Sequence, residues 1–151
     1  MCKLIDMAKL TLLTTKGDVH NAGGVNWGAN PANHTTPLDA YIPLHIGTIR
    51  NNPGLIPAKR QGGHHIKITW DDGVVMNCLL EGNLPDSKSG VAYAKQISST
   101  PHKNTLGRYL RSRMGLGATH FITLRDLQRY GRTDIDLILV APDHYTADFH
   151  V

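Results

Sequence analysis

The stretch His64–Asn83, HHIKITWDDGVVMNCLLEGN, constrains the fold of this chain more than any other. Ile66, Ile68 and Trp70 alternate with Lys67 and Thr69, the period-two pattern of a half-buried strand. Asp72-Gly73 then supplies a residue tolerant of a left-handed backbone followed by glycine, which marks a hairpin turn. Loop length sets the register. A two-residue loop pairs Trp70 with Val75 and Ile68 with Asn77, putting an amide among apolar side chains. A three-residue loop, Asp71-Asp72-Gly73, pairs Trp70 with Val74, Ile68 with Met76 and Ile66 with Cys78, and sets Lys67 opposite Asn77. The second register keeps one face apolar, and a slip of one residue would reverse the faces. A type I turn plus bulge with Gly73 left-handed is therefore expected. Ile66, Ile68, Trp70, Val74, Met76 and Cys78 then belong to the core.

Two polar segments flank this hairpin. Lys9–Thr15 reads as a first strand, with residues 1–9 as an N-terminal extension to a single domain over 10–151. Gly17–Pro37 follows, rich in Gly, Asn, Thr and Ala, too polar to bury itself and long for a structureless connection. Its His20, Asn21, Asn26, Asn30, Asn33 and His34 are side chains of the kind that read base edges. Trp27 is either an anchor to the core or a stacking platform. Asp39–His45 reads as a second strand in which Pro43 suggests an edge. Gly47–Ile56 can hold a short helix, broken at Pro53-Gly54. After the hairpin, Asn83–Thr100 forms a second polar arm carrying Asp86, Lys88, Tyr93, Lys95 and Gln96. Lysine suits guanine and glutamine suits adenine, although the same residues fit any exposed loop.

Asn104–Gly115 reads as a helix, with Leu106, Tyr109, Leu110 and Met114 on one apolar face. Arg108, Arg111 and Arg113 lie off that face. Together with Lys103 and Asn104 at the helix start they compose a phosphate clamp. Lys16 and the Lys59-Arg60 pair, which leads through Gly62-Gly63 into the hairpin, are further phosphate candidates. Thr123-Leu-Arg-Asp126 has the capping-box pattern and opens a short helix that Gly131 ends. Asp134–Val140 and Tyr145–Phe149 read as closing strands.

Charge supports an anionic partner. The net charge is +4, but residues 59–113 hold nine Lys/Arg against four Asp/Glu, while residues 114–151 hold three against five. An uneven basic surface on a small domain points most often to nucleic acid, against the plain alternative of a solvated face. There is no apolar run of membrane-spanning length, and no signal peptide is expected. Cys2 and Cys78 do not suggest a disulfide, and a reducing, cytoplasmic bacterial setting is expected.

One catalytic pattern competes. His65, Lys67 and Asp72 fit H-x-K-x4-D, the motif of phospholipase-D-type phosphodiesterases, in which a histidine attacks phosphorus. The Gly-Ser-x-Asn stretch of that family is absent, and the register puts Asp72 in the turn. Adjacent His64 and His65 face opposite sides of a strand and cannot share a metal. No metal, cofactor or catalytic residue is expected.

An ordered set of segments resembles one family: GVNWGAN at 24–30, DAYIP at 39–43, ITWDDGVVMNCLLEGN at 68–83, KQIS at 95–98, NTLGRYLRSRMGL at 104–116, DLQRYGRTDI at 126–135 and YTADF at 145–149. The chain resembles the C-terminal DNA-binding domain of phospholipase-D-type restriction endonucleases such as BfiI and NgoAVII. The resemblance implies a mainly β (α+β) fold with short helices, a seven-stranded open pseudobarrel like the plant B-three domain and the EcoRII effector domain. It also implies two recognition arms that grip the major groove of double-stranded DNA, here Gly17–Pro37 and Asn83–Thr100. A catalytic nuclease domain or subunit is the implied partner.

Overall fold

The computed structural model describes residues 6–30 and 35–151. Asn33, His34 and Cys2 lie outside the described residues. Among the described residues nine strands form in chain order: β1 (Met7–Thr11), β2 (Ile42–Pro43), β3 (His64–Trp70), β4 (Val75–Glu81), β5 (Leu84–Pro85), β6 (Ala92–Tyr93), β7 (Gln96–Ser99), β8 (Asp134–Ala141) and β9 (His144–Asp148). Three α-helices join them: α1 (Ile46–Asn51), α2 (Asn104–Arg113) and α3 (Leu124–Tyr130). A 3-10 helix covers Gly24–Ala29. Seven strands build one sheet in the order β1-β8-β9-β3-β4-β7-β2, and β5 pairs with β6 as a separate ribbon. Among the described residues only β3 and β9 run parallel. The edge strands β1 and β2 approach within 8 Å without a ladder between them, so the sheet nearly closes into a barrel.

The central hairpin has the expected register: Ile66 opposes Cys78, Lys67 opposes Asn77 and Ile68 opposes Met76. Trp70 N–H donates to the Val74 carbonyl at 2.8 Å, Gly73 N–H donates to the Trp70 carbonyl at 2.9 Å, and Gly73 has φ +90°. His64, Ile66, Ile68 and Trp70 face inward while His65 and Lys67 face out. One expected core member is misplaced. Val74 stands at the hairpin tip beyond the last ladder pair, where nothing covers it, and is 41% exposed.

Beneath the sheet, Trp70, Tyr145, Phe149, Ile68, Leu106, Leu110, Ile122 and Leu127 fill the barrel. Each such side chain contributes about 1.5–3 kcal/mol by leaving water. The Tyr145 hydroxyl donates to the Leu55 carbonyl at 2.6 Å and ties the segment after α1 to the core. The capping box forms: Thr123 Oγ1 accepts the Asp126 N–H and Asp126 Oδ2 accepts the Thr123 N–H. Gly131, with φ +111°, ends α3.

Several boundaries differ from expectation. β1 starts at Met7 and ends at Thr11, with Ala8 and Leu10 buried, so Met7–Lys9 belong to the sheet and not to an extension. The expected strand at Asp39–His45 shrinks to Ile42–Pro43, which does lie at a sheet edge. The larger difference concerns Asn83–Thr100. Its last third is β7, an interior strand between β4 and β2. Ser98 and Ser99 are buried because their hydroxyls have partners: Ser98 donates to Glu81, and Ser99 donates to the His102 carbonyl and accepts the Leu106 N–H. The second arm is therefore the shorter piece around the β5–β6 ribbon. Among the described residues, no helix is long and apolar enough to cross a membrane.

Candidate nucleic-acid interface

Two segments far apart in sequence meet across a cleft of about 380 Å³. His20, Ala22, Trp27 and Asn30 line it from the first arm. Glu81, Gly82, Lys95 and Gln96 line it from the end of β4 and the start of β7, which pair Glu81 with Gln96. Tyr41, before β2, and Lys103, at the start of α2, complete the wall.

A carboxylate organises the floor. Glu81 Oε1 accepts from Lys103 Nζ at 2.8 Å, Ser98 Oγ at 2.7 Å and Gln96 Nε2 at 3.1 Å. Burial alone would raise the Glu81 pKa, but these donors and the Lys103 charge outweigh it and hold the carboxyl below its ordinary value. The Lys103 ammonium also lies 4.7 Å from the centre of the Trp27 ring, a cation–π contact. Trp27 in turn meets Tyr41 edge-on, with centroids 5.1 Å apart. Gly82 is required beside them. Its φ is +85°, and a Cβ there would lie 2.3 Å from Lys95 Cγ, because the lysine stem crosses its backbone.

The second arm is pinned from behind. Arg50 of α1 donates from Nε to Asp86 Oδ1 at 2.8 Å, with its Nη2 at 2.6 Å. Asp86 also accepts the Lys88 N–H and the Ser89 hydroxyl. The Arg50 hydrogen bond, followed by that of Ser89, draws the Asp86 pKa down to about 2. The segment before β3 joins the same arm: Lys59 N–H donates to the Ala92 carbonyl, and Lys59 Nζ donates to Asn83 Oδ1 at 3.3 Å.

The structure sorts the residues singled out from sequence. His20, Asn21, Lys88 and Lys95 are exposed on the two arms, and Asn30 and Tyr93 are half-buried there. Lys16, Lys59, Arg60 and Arg108 are exposed, while Lys103 and Asn104 are half-buried at the start of α2. Four assignments need correction. Asn26 is 2% exposed, and its amide is held by backbone: Nδ2 donates to the Ile122 carbonyl at 2.7 Å and Oδ1 accepts the Ile122 N–H at 2.9 Å. It fixes the first arm to the core and has no atom left for a base. Arg111 is 5% exposed and donates to the carbonyls of His120 and Gly107, so it cannot reach a phosphate. Asp86, 6% exposed, holds its own loop. Gln96, 4% exposed, offers the cleft only an amide already bonded to Glu81. Arg113 is likewise engaged, forked onto Asp71 at 2.9 and 2.8 Å.

Asp72 of the H-x-K-x4-D pattern serves the turn, accepting the Val74 N–H at 3.1 Å. His65 and Lys67 are exposed side by side on the outer face of β3. Sequence reasoning missed Glu81, Tyr41 and Arg50. Glu81 had a signal: it shares the outward parity of Asn77 on β4. The pairing with β7 that gives it partners is not local.

The chain has relatives at the level of family. Its residues 1–141 match the family described as the NgoFVII C-terminal B3-like DNA-binding domain. No curated protein matches the chain. That match spans both arms, the cleft and all but the last strand of the sheet, so the chain belongs to the B3-like DNA-binding domains of restriction enzymes.

Proposed function

We propose that the chain recognises a specific sequence in double-stranded DNA through the major groove, as the target-recognition domain of a restriction endonuclease. One observation carries this reading: the first arm and the two roots of the second, at Glu81-Gly82 and Lys95-Gln96, meet across a polar cleft whose exposed rim carries imidazole, amide and ammonium groups. The second arm is closed by the two-stranded β5–β6 ribbon, and such a ribbon fits a major groove about 12 Å wide. His20, Asn21, Asn30, Lys88, Tyr93 and Lys95 then face base edges. Lys16, Lys59, Arg60, Asn104 and Arg108 hold phosphates and set the register. The Arg50–Asp86 pin keeps the ribbon from collapsing away from the groove. In this reading the chain is not itself catalytic, and a nuclease domain or subunit acting in the bacterial cytoplasm supplies cleavage.

Selection of bound duplexes from a random pool at physiological salt tests the proposal. A sharp motif is expected. Binding that is indifferent to sequence would overturn the readout. Metal-independent cleavage of DNA that disappears in His65→Ala would replace it with the phosphodiesterase reading.

A further inference from the structure

The cleft floor holds a donor and an acceptor side by side, and one feature of DNA presents the complementary pair. Lys103 Nζ and Glu81 Oε1 are 2.8 Å apart. In the major groove a cytosine amino donor and the guanine O6 acceptor of the same pair lie side by side, because they are bonded to each other. We infer that the Glu81–Lys103 pair reads one C·G base pair, Glu81 accepting the outward N4 hydrogen of cytosine and Lys103 donating to the O6 and N7 edge of its guanine. The inference rests on the major-groove reading above. It moves Lys103 from phosphate holding to base reading.

Capacity and rigidity support it. All three donors to the Glu81 carboxylate fall on Oε1. A carboxylate has about four lone-pair sites over its two oxygens, so Oε2 keeps its acceptor capacity. The lysine has three donor hydrogens, of which Glu81 takes one. Its position is fixed from a second side by the Trp27 face, so little freedom remains to be lost on binding. Lys103 offsets the repulsion between the Glu81 carboxylate and the DNA phosphates, and an exocyclic amine is a base-edge donor that Oε2 can accept.

The same geometry decides between base pairs. An A·T pair also sets an amino donor beside a keto acceptor, but adenine N7 would then face the carboxylate and the thymine methyl would face the ammonium. Cytosine presents only a C–H beside its amino group, and guanine offers N7 as a second acceptor. A reversed G·C pair would oppose carboxylate to O6.

N4-methylcytosine tests the assignment, since it still pairs with guanine but replaces the outward N4 hydrogen by a methyl. Each cytosine of the selected motif is replaced in turn and binding to the unaltered chain is followed by fluorescence anisotropy. At one cytosine the methyl should weaken binding by about tenfold or more, the scale of a good base contact. In Glu81→Gln that sensitivity should fall and the preference for cytosine there should relax. If no cytosine is sensitive, the inference fails while the domain reading stands; this arm needs no variant to fold. If Glu81→Gln weakens every sequence equally and keeps the motif, Glu81 only positions Lys103 and the inference is overturned. A selection that returns no motif removes both readings.

Discussion

Replacing Asn26 by alanine separates a structural amide from a base-reading one. Its side chain makes three hydrogen bonds to backbone: to the carbonyls of Ile122 and His20 at 2.7 and 3.1 Å, and from the Ile122 N–H at 2.9 Å. Each bond contributes about 1 kcal/mol net, and a buried polar group left without a partner costs about 1–3 kcal/mol. Ile122 is fully buried, so both of its backbone groups lose their partners in the variant. The expected loss is about 3–4 kcal/mol. In a chain of 151 residues, about 2–4 °C per kcal/mol places the fall in Tm near 10 °C. Asn26→Asp should cost at least as much, because it turns a donor into a charged acceptor aimed at two carbonyls. Thermal unfolding followed by circular dichroism measures this, with DNA binding assayed well below the transition. The selected motif should keep its preferred base at every position in Asn26→Ala, only less sharply. An unchanged Tm together with an altered motif would refute the structural assignment and return Asn26 to the groove.

Arg108→Ala should weaken binding to every duplex alike and reduce the slope of log affinity against log salt by about 0.9, the share of one phosphate contact; a sequence-dependent loss in anisotropy titrations would contradict this. Asp86 titrates lower in the folded chain, at about 2, than its ordinary 3.8. Its contribution to holding the arm is therefore present above the ordinary value and is lost as pH falls through about 2. Amide exchange at Lys88 should report the release, and Arg50→Ala should move it to higher pH. Burial pushes the Cys78 thiol up to about 12, so in a Cys2→Ser background it should not react with a disulfide reagent at pH 8 until the chain unfolds.

The features readable in sequence were those encoded locally. The hairpin register followed from where Ile66, Ile68 and Asp72-Gly73 stand relative to one another. The capping box followed from Thr123 and Asp126. Polar residues did not reveal whether they were exposed. Asn26, Asp86, Gln96 and Arg111 are of types that suit a solvated surface, yet each is buried against a partner outside its own segment: Ile122, Arg50, Glu81 and Val25. A buried polar side chain is tolerated when its hydrogen bonds are complete, and those bonds depend on tertiary neighbours. For the same reason β7 was hidden in the second arm. Its serines read as loop residues until β4 and α2 supply their partners.

That division of labour bears on how a small domain can read sequence. A flexible arm loses side-chain and loop freedom when it binds, which subtracts from affinity without adding discrimination. Here Asn26 fastens the first arm to the segment before α3, and Arg50 with Asp86 fastens the second to α1. The polar residues that look like readers but are buried set the arms before DNA arrives. On the proposed reading fewer residues remain to touch bases, but each starts from a fixed position, and Glu81 and Lys103 are held by each other and by Trp27. Specificity in such a site depends on the penalty for a mismatched donor or acceptor, and that penalty is large only where the protein group cannot move away to relieve it. Loosening a pin should therefore blur the motif even where every base-facing side chain is kept, whereas removing a phosphate contact on the rim should leave the motif sharp.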